Sequence, residues 1–179
     1  MYKKIFVVLL ILIIAFAGIL WAEKSLERIA NEKGVEGETL FNEGKFLEAA
    51  SSFETAIAKL KEAVKKEGIP LDNEKISKWL ENTFQGYFQG KDFGNAIRIL
   101  DERLKLDPDN YELVNNKAII LKKYLNRIDE AIIVLQTYNN KKRSFKVEKK
   151  IADYYVDNED YQNALDWYQK AYELKQDSG

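Results

Sequence analysis

The sequence predicts an all-α fold: a stack of about four helix hairpins behind one N-terminal transmembrane helix. Three observations predict it. An unbroken apolar run extends from Ile5 to Ala22. In the rest of the chain apolar residues recur three and four apart, with no strand-like alternation of useful length. One bulky–small–bulky pattern comes back four times.

The apolar run is 18 residues long. At about 1.5 Å per residue it reaches about 27 Å as a helix, close to the hydrocarbon thickness of a bilayer. Lys3 and Lys4 precede it and Trp21 stands at its far end, where an interfacial aromatic is expected. The positive-inside rule keeps Met1 in the cytoplasm and puts the remainder on the extracytoplasmic side, periplasmic or extracellular. A second reading stays open. Ala15-Phe16-Ala17 fits a small-x-small cleavage site, so residues 1–22 serve either as a single-pass anchor or as a signal peptide. The apolar run is longer than most signal peptides carry, which favours the anchor. Gly18 and Ala22 form a small-xxx-small pair through which two anchors could touch.

Residues 23–179 form the second region. Leu40, Phe41, Phe46, Ala49, Ala50, Phe53, Ala56, Ile57 and Leu60 show its helical spacing. Breaks fall at Glu67–Asn73, where Asp72 offers a helix start, at Asp107–Asn110, and at Asn139–Ser144, where Ser144 is a candidate N-cap. Shorter turns fall at NEGK, QGKD, LNRID and DNED. About eight helices in antiparallel pairs result, in units of roughly 30–72, 73–108, 109–143 and 144–177.

The second helix of each pair opens on a bulky residue, at Phe46, Phe93, Ile128 and Tyr161. A small one follows, at Ala49, Ala96, Ala131 and Ala164, then a large one at Phe53, Leu100, Leu135 and Tyr168. The alanines lie 47, 35 and 33 residues apart by subtraction of their positions. Alanine lets helix backbones approach closely while neighbouring aromatics fill the groove, so Phe46, Phe53, Phe93, Tyr161 and Tyr168 are expected in the core. This pattern resembles the tetratricopeptide repeat family, whose period is about 34 residues. The turn KLDPDN at Lys105–Asn110 is similar to the family's inter-repeat turn. Departures are about 13 extra residues between the first two units, expected as a helix running on to about Lys66, and one extra residue near Asn126.

Chemistry is sparse. His and Cys are absent, which removes the commonest general base, the thiol nucleophile and the commonest transition-metal ligands. Gly90-Lys91 is followed by Asp92 and lacks the Ser or Thr of a phosphate loop. No enzyme, no cofactor and no metal site is expected. Lys plus Arg is 28 and Asp plus Glu is 29, so nothing global favours nucleic acid. The charge is uneven, however. Residues 115–150 carry 10 basic and 3 acidic groups, whereas 151–179 carry 2 and 7. Lys141, Lys142, Arg143, Lys146, Lys149 and Lys150 make up the densest basic stretch, a candidate patch for an acidic peptide or lipid headgroups.

The resemblance implies a curved array whose first helices line a concave, partner-binding face. It places Phe41, Asn42, Glu81, Gln85, Phe88, Asn115, Ile119, Lys122, Lys149 and Asp153 there, with Phe88 and Ile119 as exposed apolar anchors. The family's clamp for a C-terminal carboxylate is not reproduced. Gly34, Glu38 and Glu112 occupy its key positions, although Asn82 fits. The expected partners are therefore other proteins, and a second copy through the anchor or the C-terminal end. Leu165, Trp167, Tyr172 and Leu174 cannot all face the preceding unit.

Overall fold

The computed structural model describes residues 25–177, so the Ile5–Ala22 run and the expectation attached to it lie outside the described residues. Among the described residues no helix is long and apolar enough to cross a membrane. Those residues form eight α-helices and no strand. The hairpins are α1 (Leu26–Asn42) with α2 (Phe46–Glu67), α3 (Asn73–Gln89) with α4 (Phe93–Leu106), α5 (Tyr111–Ile119) with α6 (Ile128–Asn139), and α7 (Phe145–Asp157) with α8 (Tyr161–Asp177). Each helix packs on its neighbours in sequence, as a solenoid requires.

Local chemistry sets the helix starts. Backbone N–H groups of the first turn donate to the side chains of Ser25, Asp72, Asp92, Asn110, Ser144 and Asp160. The turn inside each hairpin is one backbone shape used four times. Its left-handed residue is Gly44, Lys91, Asn126 or Glu159, with φ of 76°, 60°, 53° and 59°. The next N–H reaches back five residues in three hairpins: Lys45 to the Leu40 carbonyl, Asp92 to Tyr87 and Asp160 to Tyr155, each at 2.9 Å. In the third hairpin Arg127 reaches six residues back, to Leu121 at 2.8 Å. There the extra residue is taken up by a π-helical turn, Ile120–Tyr124, which continues α5.

The core follows the repeat. Ala49, Ala96, Ala131 and Ala164 are buried at the helix crossings. Phe53, Leu100 and Leu135 are buried beside them, and Phe46 and Phe93 are half-buried. The last unit departs from the expectation. Tyr161 is 66% exposed and Tyr168 37%. Among the described residues no further hairpin follows α8, although the Tyr168 hydroxyl bonds Asp153 of α7.

Close backbone approach is visible at Gly86. A Cβ there would lie 2.8 Å from the Phe46 carbonyl oxygen and 3.0 Å from the Ala50 Cβ, so α3 and α2 meet at a distance only glycine permits. Gly34 does the same for a ring. A Cβ on it would sit 2.7 Å from the Trp79 indole, which α3 lays across α1.

Polar side chains tie the stack at two places, one buried and one partly exposed. Glu148 is fully buried and accepts from Asn139 Nδ2 at 3.0 Å and Arg143 Nε at 2.8 Å, pinning α7 to the end of α6. The Tyr87 hydroxyl donates to Glu54, which also accepts from Arg98 Nη2 at 2.6 Å, joining α3, α2 and α4. Burial first, and then the Glu54 carboxylate, pushes the Tyr87 phenol up to about 12. Burial, with Tyr111 and Asp157 near, does the same for Tyr154.

Two outcomes follow from this packing. Gly86→Ala overpacks the α2–α3 crossing, and urea unfolding should show a loss of roughly 1–3 kcal/mol. Tyr87 and Tyr154 are raised from 10.0 to about 12, so the stability they contribute is complete below pH 10 and is lost as pH climbs towards 12. In an ultraviolet absorbance titration of the folded chain a late-ionising fraction should appear, and Tyr87→Phe with Tyr154→Phe should reduce it.

Candidate functional site

The first helices α1, α3, α5 and α7 stand side by side and share one face. Side chains bridge them. Lys78 of α3 donates to Glu38 of α1 at 3.1 Å. Lys150 of α7 donates to Asn115 of α5, and Lys122 of the π turn pairs with Asp157 of α7. Between α3 and the π turn the link is aromatic, with the Phe88 and Tyr124 ring centroids 5.5 Å apart.

The open part of this face lies between α1 and α3. A recess of about 370 Å³ is lined by Glu38, Phe41, Asn42, Phe53, Asn82 and Gln85. A second hollow of about 550 Å³ shares Glu38 with it and continues past Gly34, Val35, Lys78 and Trp79 towards the start of α3. Phe41, Asn42 and Gln85 are thus brought together. Asn82 sits beside them, and its amide adds both a donor and an acceptor. Gln85 donates to Glu81 at 2.8 Å, and Glu81 is also held by Arg103 from α4. The Phe41 ring lines the recess and meets Phe46 edge to face, with centroids 5.1 Å apart.

The other residues read from the sequence are placed differently. Phe88 does not stand free as an anchor: it is half-buried in a cluster with Phe84, Phe93 and Tyr124, with centroids 5.5–5.9 Å from its own. Its position at the end of α3 turns the ring into the hairpin edge. Ile119 is half-buried at the end of α5. Asn115 and Lys122 are engaged by α7, and the Lys122 ammonium also lies 4.3 Å above the Tyr154 ring. Lys149 and Asp153 pair with each other at 2.9 Å, and the Tyr168 hydroxyl donates to Asp153 at 2.7 Å. Burial pushes the Asp153 carboxyl up, but those two bonds outweigh it and hold it below the usual range.

The basic residues stand in different surroundings. Arg143 serves the buried Glu148, and Lys150 is half-buried against Asn115. Burial first, then neighbouring Lys146, holds the Lys150 ammonium below its ordinary value. Lys141, Lys142 and Lys146 are exposed; Lys146 lies 4.6 Å above the Tyr111 ring. Among the described residues no cluster of acidic side chains is arranged to hold a metal ion.

One feature was not foreseen from the sequence: the hollow beside Trp79. Gly34 and Gly37 on one helix face were the signal: the Trp79 ring of the next unit fills the space at Gly34, and the Phe53 ring of the same hairpin fills that at Gly37. On α8, Tyr161, Leu165, Tyr168 and Tyr172 form an exposed stripe at helical spacing.

Comparison with known proteins bears on this architecture. The tetratricopeptide repeat model matches residues 150–178, within the last hairpin. Comparison with curated proteins finds none that matches. Among solved structures, one described as "MamA RS-1 ArsTM double mutant" is 15% identical, covers 89% of this chain and 82% of its own, and superposes with a TM-score of 0.53. Another, "MamA MSR-1 C2", is 20% identical over 84% of this chain and 98% of its own, with a TM-score of 0.45. At 15% identity the first of these shows a likeness of fold alone. One left-handed turn closes all four hairpins and alanine sits at each crossing, so the array is similar throughout to a tetratricopeptide repeat stack, and its last hairpin matches the family's sequence model.

Proposed function

We propose that the chain is a non-catalytic scaffold that holds another protein in the groove across its first helices. The observation that carries this reading is the open recess between α1 and α3. It combines an apolar ring, Phe41, with the amides of Asn42, Asn82 and Gln85 and the carboxylate of Glu38. An extended peptide or a partner helix needs that mixture: an apolar seat for one side chain, and donors and acceptors that fix its direction. Ile119, Lys122, Lys149 and Asp153 extend the face towards α7. The stripe on α8 offers a further contact at the other end of the array.

In this reading the scaffold is displayed at a membrane by Ile5–Ala22, with Met1 in the cytoplasm and the repeats outside it. The support is the length of that apolar run and the lysines before it. A second reading is a secreted, signal-cleaved structural subunit of an envelope complex, which Ala15-Phe16-Ala17 favours. Intact mass of the mature protein separates the two, because loss of the first 17 or 22 residues excludes the anchor.

Pull-down from detergent-solubilised membranes tests the groove. Asn82→Ala with Gln85→Ala, and separately Ile119→Asp, should each lower capture of the partner by roughly tenfold. Thermal unfolding should show that the Asn82→Ala/Gln85→Ala chain stays folded. Retention of every partner by both variants would make the groove assignment wrong.

A further inference from the structure

We propose that the end of the array formed by the last turns of α2 and the Gly68–Asp72 connection seats on the lipid surface. Lys61 and Lys65 would meet anionic headgroups, and Leu71 would dip among them. This rests on the anchor reading given above.

The first ground is where that end lies. The Leu26 N–H at the start of α1 donates to Glu67 Oε1, at the end of α2, at 2.6 Å. The tip of α2 therefore stands at the point where the chain enters the array. Ala22 closes the apolar run four positions before Leu26. Four residues span at most about 14 Å even when fully extended. A headgroup layer is about 5–7 Å deep on each side of the hydrocarbon. The tip of α2 is thus held close to the headgroups, within the reach of a long side chain.

The second ground is the extra length of the first unit. Its alanine lies 47 residues before the next one, against 35 and 33 for the following intervals. The additional residues fall at this one end. α2 runs for 22 residues, whereas α4 and α6 run for 14 and 12.

The third ground is chemical. Lys59 and Lys66 both pair with Glu62, at 2.8 and 2.7 Å, and Glu67 is occupied by the Leu26 N–H. Lys61 and Lys65 are exposed and make no ion pair among the described residues. The acidic groups at the start of α3 are Asp72, which caps the helix and faces Lys75 at 3.6 Å, and the exposed Glu74. The connection itself reads Gly68-Ile69-Pro70-Leu71. Gly68 is left-handed at φ 70°, Ile69 packs into the core, and Leu71 is left 48% exposed beyond it. A fixed apolar tip beside unpaired lysines is the composition of a surface that rests at a membrane interface. Seating it would fix the tilt of the array relative to the bilayer.

The chain has no cysteine, so one can be introduced for labelling without background. Full-length Leu71→Cys and Val156→Cys are each spin-labelled and placed in nanodiscs of phosphatidylcholine and phosphatidylglycerol containing a nickel-chelating lipid. Val156 lies at the opposite end of a hairpin, beside the turn after α7. The expected result is relaxation enhancement at position 71 at least about fivefold above that at 156. Replacing Lys61→Gln and Lys65→Gln together should lower it towards the value at 156, and only in discs containing the anionic lipid. Equal enhancement at both positions in a chain that resists carbonate extraction overturns the seating and leaves the anchor standing. Release by carbonate overturns both. Enhancement indifferent to the lysines and to lipid charge overturns the headgroup contact.

Discussion

A two-helix hairpin has more apolar surface than it can hide against itself, and this constraint governs the rest of the molecule. Each second helix leaves one face bare, and the first helix of the following hairpin covers it. The cover is tight because alanine occupies every crossing, and at Gly86 backbone meets backbone. Burial is settled between neighbours only, so stability rises unit by unit along the array. The bare tyrosines of α8 show the same rule from the uncovered side: the residue type is kept, while its environment depends on the next hairpin.

The inner face has a different logic. Its helices do not press backbone to backbone, and side chains span the gaps. Towards the C-terminal half those gaps are filled from within. Lys150 meets Asn115, Lys122 meets Asp157, and Lys149 and Tyr168 converge on Asp153. Between α1 and α3 the bridging is lighter, with Lys78 and Glu38 as the cross-link, and there the face opens into a recess. The face thus neutralises its own charges at one end and leaves amides and a ring accessible at the other.

The architecture was legible because its signals are local. Helical spacing, Asp72 and Ser144 as caps, and the extension of α2 to about Lys66 all depend on a few adjacent residues. The inner face was less legible. Projection onto a helix face gives direction but not what lies opposite. It could not show that the Phe88 ring would be met by Phe84, Phe93 and Tyr124, or that Arg143 would be drawn to a buried Glu148. Both outcomes depend on residues from other helices. The exposure of Tyr161 and Tyr168 was hidden for a related reason: a repeat pattern specifies a side chain without specifying its neighbour.

The π turn at Ile120–Tyr124 shows how such an array absorbs changes in length. One surplus residue widens a single coil and leaves the turn after it unchanged in shape, so the next hairpin docks with its contacts preserved. The far larger surplus in the first unit is pushed outward into a helix tip and a connection. Insertions in this architecture are thus confined to where they arise, and the superhelical register downstream is insulated from them.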